Sequence, residues 1–188
     1  MSISKLFVLA GPTAVGKGTV VSELCRRHPE LFVSVSATTR QPRPGEVDGV
    51  HYHFVSRKEF EELIERGQML EYALVHGANY YGTPRGPVQQ CLDSGHSALL
   101  EIDLAGARQV KTAMPQAELV FLAPPTWQDL VDRLVGRGTE DEAERERRLA
   151  TAKVELAAQD EFDVVIVNDT VARATDELEA LMGLKPVE

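Results

Sequence analysis

The sequence predicts an α/β fold: a three-layer core around a parallel sheet, with two lobes inserted into it. Three observations carry this reading. Four short, continuous apolar runs read as strands buried on both faces, helical patterns separate them, and two longer segments break the alternation. The runs are "LFVLA" (6–10), "ALLEID" (98–103), "LVFLA" (119–123) and "DVVIVN" (163–168). Helical patterns cover 17–28, 104–113 and 171–182. Strands alternating with helices imply a parallel sheet with helices on both faces.

Taken in order, the first run leads directly into "GPTAVGKGT" (11–19) and then an amphipathic stretch. Gly11, Gly16 and Lys17 fit the phosphate-binding pattern G-x-x-x-x-G-K-[ST], the P-loop. Glycines let the backbone wrap closely around phosphate oxygens, with successive N–H groups pointing inward. The following helix offers its positive end, and Lys17 adds a full charge. Gly11, Pro12, Thr13, Ala14, Val15, Gly16, Lys17, Gly18 and Thr19 are therefore expected to hold the phosphates of a nucleotide. Gly18 stands where the pattern has a hydroxyl for magnesium, and Thr19 follows it at once. "GKGT" is similar to the loop of adenylate kinases, which use glycine here and stay active. Magnesium dehydrates reluctantly, so the ion is expected to be held mainly by ATP oxygens and water, and no protein ligand is assigned to it.

The first interrupting segment, 33–83, contains the turn-rich "SVSATTRQPRPGEVDG". A helical stretch "SRKEFEELIERG" follows, then strand-like runs ending at "NYYGT". Arg40 and Arg43 lie three apart with tyrosines downstream, a candidate anion clamp, since guanidinium forks match phosphate geometry and tyrosine hydroxyls add neutral donors. The second segment, 126–159, holds two helix patterns hinged at "GRGTE", and Thr139 with Glu142 gives a capping-box signature. Charges in "EDEAERERR" (140–148) alternate as on a solvated helix face, so Arg145 and Arg147 receive no chemical role. Arg137, between two glycines, reads as part of a hinge instead.

Composition narrows the partners. A chain of 188 residues, 43% hydrophobic and 26% charged, suits one soluble globular domain. Lys plus Arg is 20 against 29 Asp plus Glu, a formal charge of -9, which argues against a general nucleic-acid binder. Cys25 and Cys91 lack metal-type spacing and read as reduced thiols. The apolar run after Lys5 is too short for a signal peptide, and no run approaches membrane-spanning length. A cytoplasmic protein with no nucleic-acid or membrane partner is expected; the oligomeric state is not legible. His28, His51, His53, His76 and His96 show no metal spacing, and His51 and His53 are expected to alternate along one strand. "DLAG" (103–106) satisfies the D-x-x-G of switch GTPases, yet no N-K-x-D guanine-reading motif occurs.

Six further blocks occur in order: "SVSATTRQPRPGEVDGVHYHF" (34–54), "LEYALVHGANYYGT" (70–83), "LLEIDLAGA" (99–107), "VFLAPP" (120–125), "RLVGRGTE" (133–140) and "RRLATAKVEL" (147–156). With the loop, they resemble the guanylate kinase family, which transfers a phosphoryl group from ATP to GMP. The resemblance covers residues 5–183. It implies a core of 5–32, 84–125 and 160–183, a GMP-binding lobe at 33–83 and a helical lid over ATP at 126–159.

By resemblance, Arg40, Arg43, Tyr52 and Tyr81 would grip the GMP phosphate, and Ser36, Glu71, Thr83 and Asp103 would read guanine. Arg133, Arg137 and Arg148 would come from the lid region, and Asn168 would lie near adenine. Lys17, Arg40, Arg137 and Arg148 would be catalytic, with Mg²⁺ accompanying ATP. The plainer alternative is that Glu71 ends a strand at the surface and Asp103 caps the following helix, and Asp103 before "LAGA" fits its alternative better than Glu71 does. Thr83 replaces a common serine but keeps its hydroxyl, and Tyr72 stands where tryptophan is common, a change expected to affect packing only. The reaction needs no histidine base: a phosphate monoester's second pKa is about 6, so the acceptor is already largely ionised at neutral pH. The alternative is a non-catalytic guanylate-kinase-like module that docks phosphorylated partners. Such modules typically lose the loop lysine or lid arginines, and both persist here.

Overall fold

The computed structural model describes residues 4–135 and 142–185. Along the chain its elements are β1 (Leu6–Ala10), α1 (Lys17–Arg27), β2 (Phe32–Val33), β3 (Ala37–Thr38), β4 (His53–Phe54), α2 (Arg57–Glu65), β5 (Met69–Val75) and β6 (Asn79–Pro84). Then come α3 (Arg85–Asp93), β7 (Ala98–Glu101), α4 (Leu104–Ala113), β8 (Glu118–Ala123), α5 (Trp127–Val135) and α6 (Glu142–Ala157). A short 3-10 turn at Gln159–Glu161 leads to β9 (Val164–Val167) and α7 (Val171–Leu181). Thr139 of the expected capping box lies outside the described residues.

The expected parallel sheet is present, with strand order β2-β7-β1-β8-β9 and parallel pairing of β2 with β7, β1 with β8 and β8 with β9. The chain forms two compact units, one of Met1–Leu6, Phe32–Leu100 and Ala105–Ala117, the other of Phe7–Leu31, Glu101–Leu104 and Glu118–Glu188.

In the second unit, β8 is buried from Leu119 to Ala123, and the β1 residues Phe7 to Ala10 are buried throughout, as continuous apolar runs require. β9 departs from the expected two-sided burial: Val165 and Val167 are each 39% exposed while Ile166 is buried. It lies at the sheet edge, paired with β8, and one face of it meets solvent. The last helix is tied back to α1 by charge-assisted bonds. Arg27 Nη1 donates to Asp176 Oδ1 at 2.6 Å and to Glu179 Oε2 at 3.2 Å, and His28 Nε2 lies 2.5 Å from Glu179 Oε1. These ties hold α7 against the end of α1.

In the first unit a smaller sheet runs β4-β3-β6-β5, with β5 and β6 an antiparallel hairpin. Ser56 and Glu59 form a capping box that starts α2, whose Phe60 stacks on Tyr80 with ring centroids 5.0 Å apart. Ala37, Phe60 and Met69 form its small buried core. Only His53 belongs to a strand. His51 lies in the preceding turn, where its Nδ1 accepts from Val47 N at 3.0 Å, so the two histidines do not share the expected strand. Helix α3 was not expected either. Pro87 occupies its first turn, where an N–H has no intrahelical acceptor and proline is tolerated.

Candidate functional site

In the second unit β1 ends at Ala10, and the expected phosphate loop bridges it to α1. The close approach of the loop start to β8 explains Gly11: a Cβ there would meet the Leu122 carbonyl oxygen at 2.4 Å. Gly16, the N-cap of α1, takes a left-handed φ of 101° and gives no side-chain cap, and a Cβ there would sit 2.7 Å from Asn168 Nδ2. A helix start without a capping side chain presents its first N–H groups to an anion.

Two residues brace this loop from behind. The Val15 carbonyl accepts from Asn168 Nδ2 at 2.8 Å and from Arg133 Nη1 at 3.0 Å, and Arg133 Nη2 donates to the Asn168 carbonyl at 3.2 Å. Both residues also line a cavity of about 490 Å³ with Ala14, Gly16, Thr19, Asp132, Asp169 and Val171. Arg133 and Asn168 thus have a structural task in the loop that the sequence did not suggest.

Lys17 folds back onto the loop, its Nζ donating to the Gly11 carbonyl at 2.6 Å and to that of Pro12 at 3.4 Å. Desolvation lowers its pKa from the ordinary 10.5, opposed first by Glu155 and then by Glu101 and Asp103. Glu155, on α6, accepts from the Thr13 N–H at 3.2 Å. Its own pKa is raised by desolvation against the Thr13 bond and Lys17. Desolvation likewise raises that of Glu101, against Lys17. Asp103, a guanine reader by resemblance, is therefore near enough to Lys17 to act on its charge, within the second unit.

Gly18 has its open side toward Glu101, whose Oε1 would lie 3.6 Å from an added Cβ. Thr19 instead lines the cavity with Asn168 and Arg133. Successive helical residues point about 100° apart, so Thr19 does not take the place of a hydroxyl at position 18. The carboxylate beside that place is Glu101's, which the sequence reading did not single out. Arg148 lies on α6 with its Nε 3.6 Å from Glu144 Oε1. Arg137 lies outside the described residues.

The first unit holds the other expected residues. Arg40 Nε donates to the Tyr81 hydroxyl at 3.1 Å, Nη1 to the Gln41 carbonyl at 2.8 Å, and Nη1 and Nη2 each to a Glu46 oxygen at 2.9 Å. Its guanidinium lies 5.4 Å from the Tyr52 ring centroid and 5.8 Å from that of Phe54. Tyr52 and Tyr81 meet edge to face. Glu46 also accepts from the Arg43 N–H at 2.7 Å, and its bonds to Arg40 above all hold its pKa down at about 2. The Arg43 residue itself is exposed, and Ser36 is half-buried before β3. Arg40, Tyr52 and Tyr81 are thus assembled with Glu46 and Phe54, which were missed. A signal for Glu46 was present: it follows the Pro-Gly turn of "RQPRPGE", three residues after Arg43.

Glu71 and Thr83 face each other on β5 and β6, both buried, with Thr83 Oγ1 donating to Glu71 Oε1 at 2.6 Å. Glu71 is therefore not a surface strand end. Tyr72 beside it is 39% exposed and lies outside the buried core.

A family model described as guanylate kinase matches residues 3–184. The chain is 62% identical over 181 residues to the guanylate kinase of Leifsonia xyli subsp. xyli (strain CTCB07), covering 96% of this chain and 71% of that protein. It is 59% identical over 183 residues to that of Rhodococcus jostii (strain RHA1), covering 97% and 88%. The crystal structure of guanylate kinase from Anaplasma phagocytophilum aligns with a TM-score of 0.74 at 32% identity, over 97% of this chain and 86% of that one.

Proposed function

The chain belongs to the guanylate kinase family, and from that premise we propose how its residues carry the ATP-dependent phosphorylation of GMP to GDP. The observation that carries the assignment is Lys17, held on the loop carbonyls at the uncapped start of α1. A GMP phosphate oxygen attacks the γ-phosphorus in line. The new P–O bond forms as the bond to the β-phosphate oxygen breaks, and ADP leaves with that electron pair. No proton must be removed from the acceptor.

Lys17 and the N–H groups of residues 11–19 hold the donor phosphates, with Lys17 exchanging its carbonyl partners for phosphate oxygens. Arg133 and Asn168 orient the loop and border the space for the donor nucleoside. Arg40, Arg43, Tyr52 and Tyr81 hold the acceptor phosphate and offset the repulsion between two anions. Glu46 keeps the Arg40 fork aimed, since the contacts of Arg40 use four of its five N–H donors. Ser36, Glu71, Thr83 and Asp103 read guanine. Arg137 and Arg148, from the lid segment, stabilise charge on the transferring group. The segment 33–83 serves as the GMP-binding lobe and 126–159 as the lid.

Among the described residues no group of three or more His, Cys, Asp or Glu side chains could cage a metal ion. The carboxylates of Glu101 and Asp103, both close enough to act on Lys17, nevertheless fit a hard cation that keeps phosphate and water ligands. They would accept hydrogen bonds from its water shell. Magnesium bound with ATP neutralises charge on the β- and γ-phosphates. The free thiols of Cys25 and Cys91 support a cytoplasmic setting. No described helix is long and apolar enough to cross a membrane.

The test is ADP release from ATP and Mg²⁺ with each nucleoside monophosphate in turn. GMP should support turnover far better than AMP, CMP or UMP. Turnover independent of the acceptor base would overturn the guanine-reading assignment.

A further inference from the structure

We infer that Glu155 is an internal anion of the donor site: its carboxylate accepts from the Thr13 N–H of the loop, and the phosphates of ATP bind by displacing it. The inference rests on reading residues 11–19 as the donor loop. Glu155 Oε2 accepts from Thr13 N at 3.2 Å, and a single N–H cannot serve a carboxylate and a phosphate together at full strength. Among the acids that act on Lys17, Glu155 acts most strongly. A phosphate arriving at the loop meets a like charge already in place.

Helix stability does not explain the residue. Glu155 lies in the last turn of α6, where the negative end of the helix dipole disfavours a carboxylate, and no basic side chain in that turn offsets it. Its hydrogen-bond partner is instead Thr13 of the phosphate loop, and its charge acts on Lys17. Displacement has a second consequence, because Glu155 and Arg148 belong to the same helix. Donor binding releases the tie between α6 and the loop, and so couples occupancy of the loop to the position of Arg148. Glu155 is a positioning residue that lowers the affinity of the loop for anions.

The experiment is isothermal titration of inorganic tripolyphosphate, with EDTA present and at low ionic strength, into the full chain and its Glu155→Gln and Glu155→Ala variants. Alanine is the strongest helix former, so the second variant keeps α6 even if the first misfolds. Removing a competing charge this close should tighten binding about fivefold or more. Unchanged or weaker binding to Glu155→Ala overturns the inference. So does tightening that survives Lys17→Met in the same background, since the anion would then bind away from the loop. The readout needs no turnover. Tightening in a protein that fails to phosphorylate GMP would sink the catalytic reading and keep this one.

Discussion

Asn168 donates from Nδ2 to the Val15 carbonyl at 2.8 Å, and the consequence lies on the other side of the same peptide. A trans peptide is planar, with its C=O and N–H pointing in opposite directions. Holding the Val15 oxygen toward Asn168 and Arg133 therefore aims the Gly16 N–H the other way, away from the two bracing side chains.

Asn168→Ala should loosen that aim. The buried Val15 oxygen keeps Arg133 alone, at a cost in stability of about 1–3 kcal/mol. ATP affinity should fall about tenfold as the N–H cradle loses preorganisation. Calorimetric titration of ATP and thermal melts check both parts. Unchanged ATP affinity in a folded variant would mean the brace is structural only.

Lys17→Met separates charge from packing. Turnover should drop about 10²-fold or more, because a fixed cation at the transferring phosphoryl group is lost. Desolvation lowers the pKa of Lys17, so its charge costs the folded state something, and the melting temperature should hold or rise. Near-normal kcat in this variant would remove Lys17 from the mechanism.

These two residues differ in how far sequence exposes them. Lys17 is legible because loop, glycine and helix start are adjacent in the chain, and strands β1 and β8 are legible as unbroken apolar runs. The bracing role of Asn168 is not, since its partner Val15 lies 153 positions away. Glu155 is hidden for the same reason: within "RRLATAKVEL" it looks like any solvated helix residue, and only tertiary contact brings it to Thr13. The one-sided burial of β9 was equally invisible, because "DVVIVN" has the composition of a central strand and edge position is a property of the assembled sheet. Gly18 was read through its chain neighbour Thr19, whereas helical geometry turns the two apart and sets Glu101 beside the glycine.

Gly18→Ser should fold and stay active. Its Cβ would make ordinary contact with Glu101 Oε1 at 3.6 Å, and serine costs a helix less than glycine does. Turnover should stay within about threefold of the parent, under 1 kcal/mol of barrier. Steady-state kinetics across magnesium concentrations checks this. A gain of about tenfold or more would show that glycine is a defect in metal handling.

Acid should expose the Arg40–Glu46 pair. The folded pKa of Glu46 is depressed from 4.5 to about 2, chiefly by its hydrogen bonds to Arg40. The stabilisation it gives is therefore complete above its unfolded value and disappears as pH falls from about 4.5 toward 2. Glu23, bonded to Arg26 and Arg27, behaves the same way in the second unit. Glu46→Gln should flatten part of the fall in melting temperature across that window. An identical pH profile in parent and variant would show that the pair contributes nothing to stability.

Base selectivity turns on Glu71 and Thr83. Guanine presents N1–H and an exocyclic amine at C2 as adjacent donors, which a carboxylate accepts; adenine presents a lone pair at N1 and lacks that amine. Glu71 is 8% exposed, and Thr83 Oγ1 fixes one of its oxygens at 2.6 Å, so the carboxylate is held rather than free to turn away from a wrong base. A buried hydrogen-bonding site of this kind can reject an analogue by about 10⁴–10⁵-fold, because its polar groups lose their partners. Glu71→Ala should lower kcat/KM for GMP by about 10²-fold, roughly 2.7 kcal/mol of transition-state stabilisation, with a much smaller loss for AMP. Thr83→Val should keep the charge but release its orientation, with a loss for GMP of about tenfold or less. Competition assays with both acceptors, on variants whose melting curves show a folded protein, measure the ratio directly. If Glu71→Ala lowers GMP and AMP efficiency by the same factor, the carboxylate supports the β5–β6 hairpin and does not read the base.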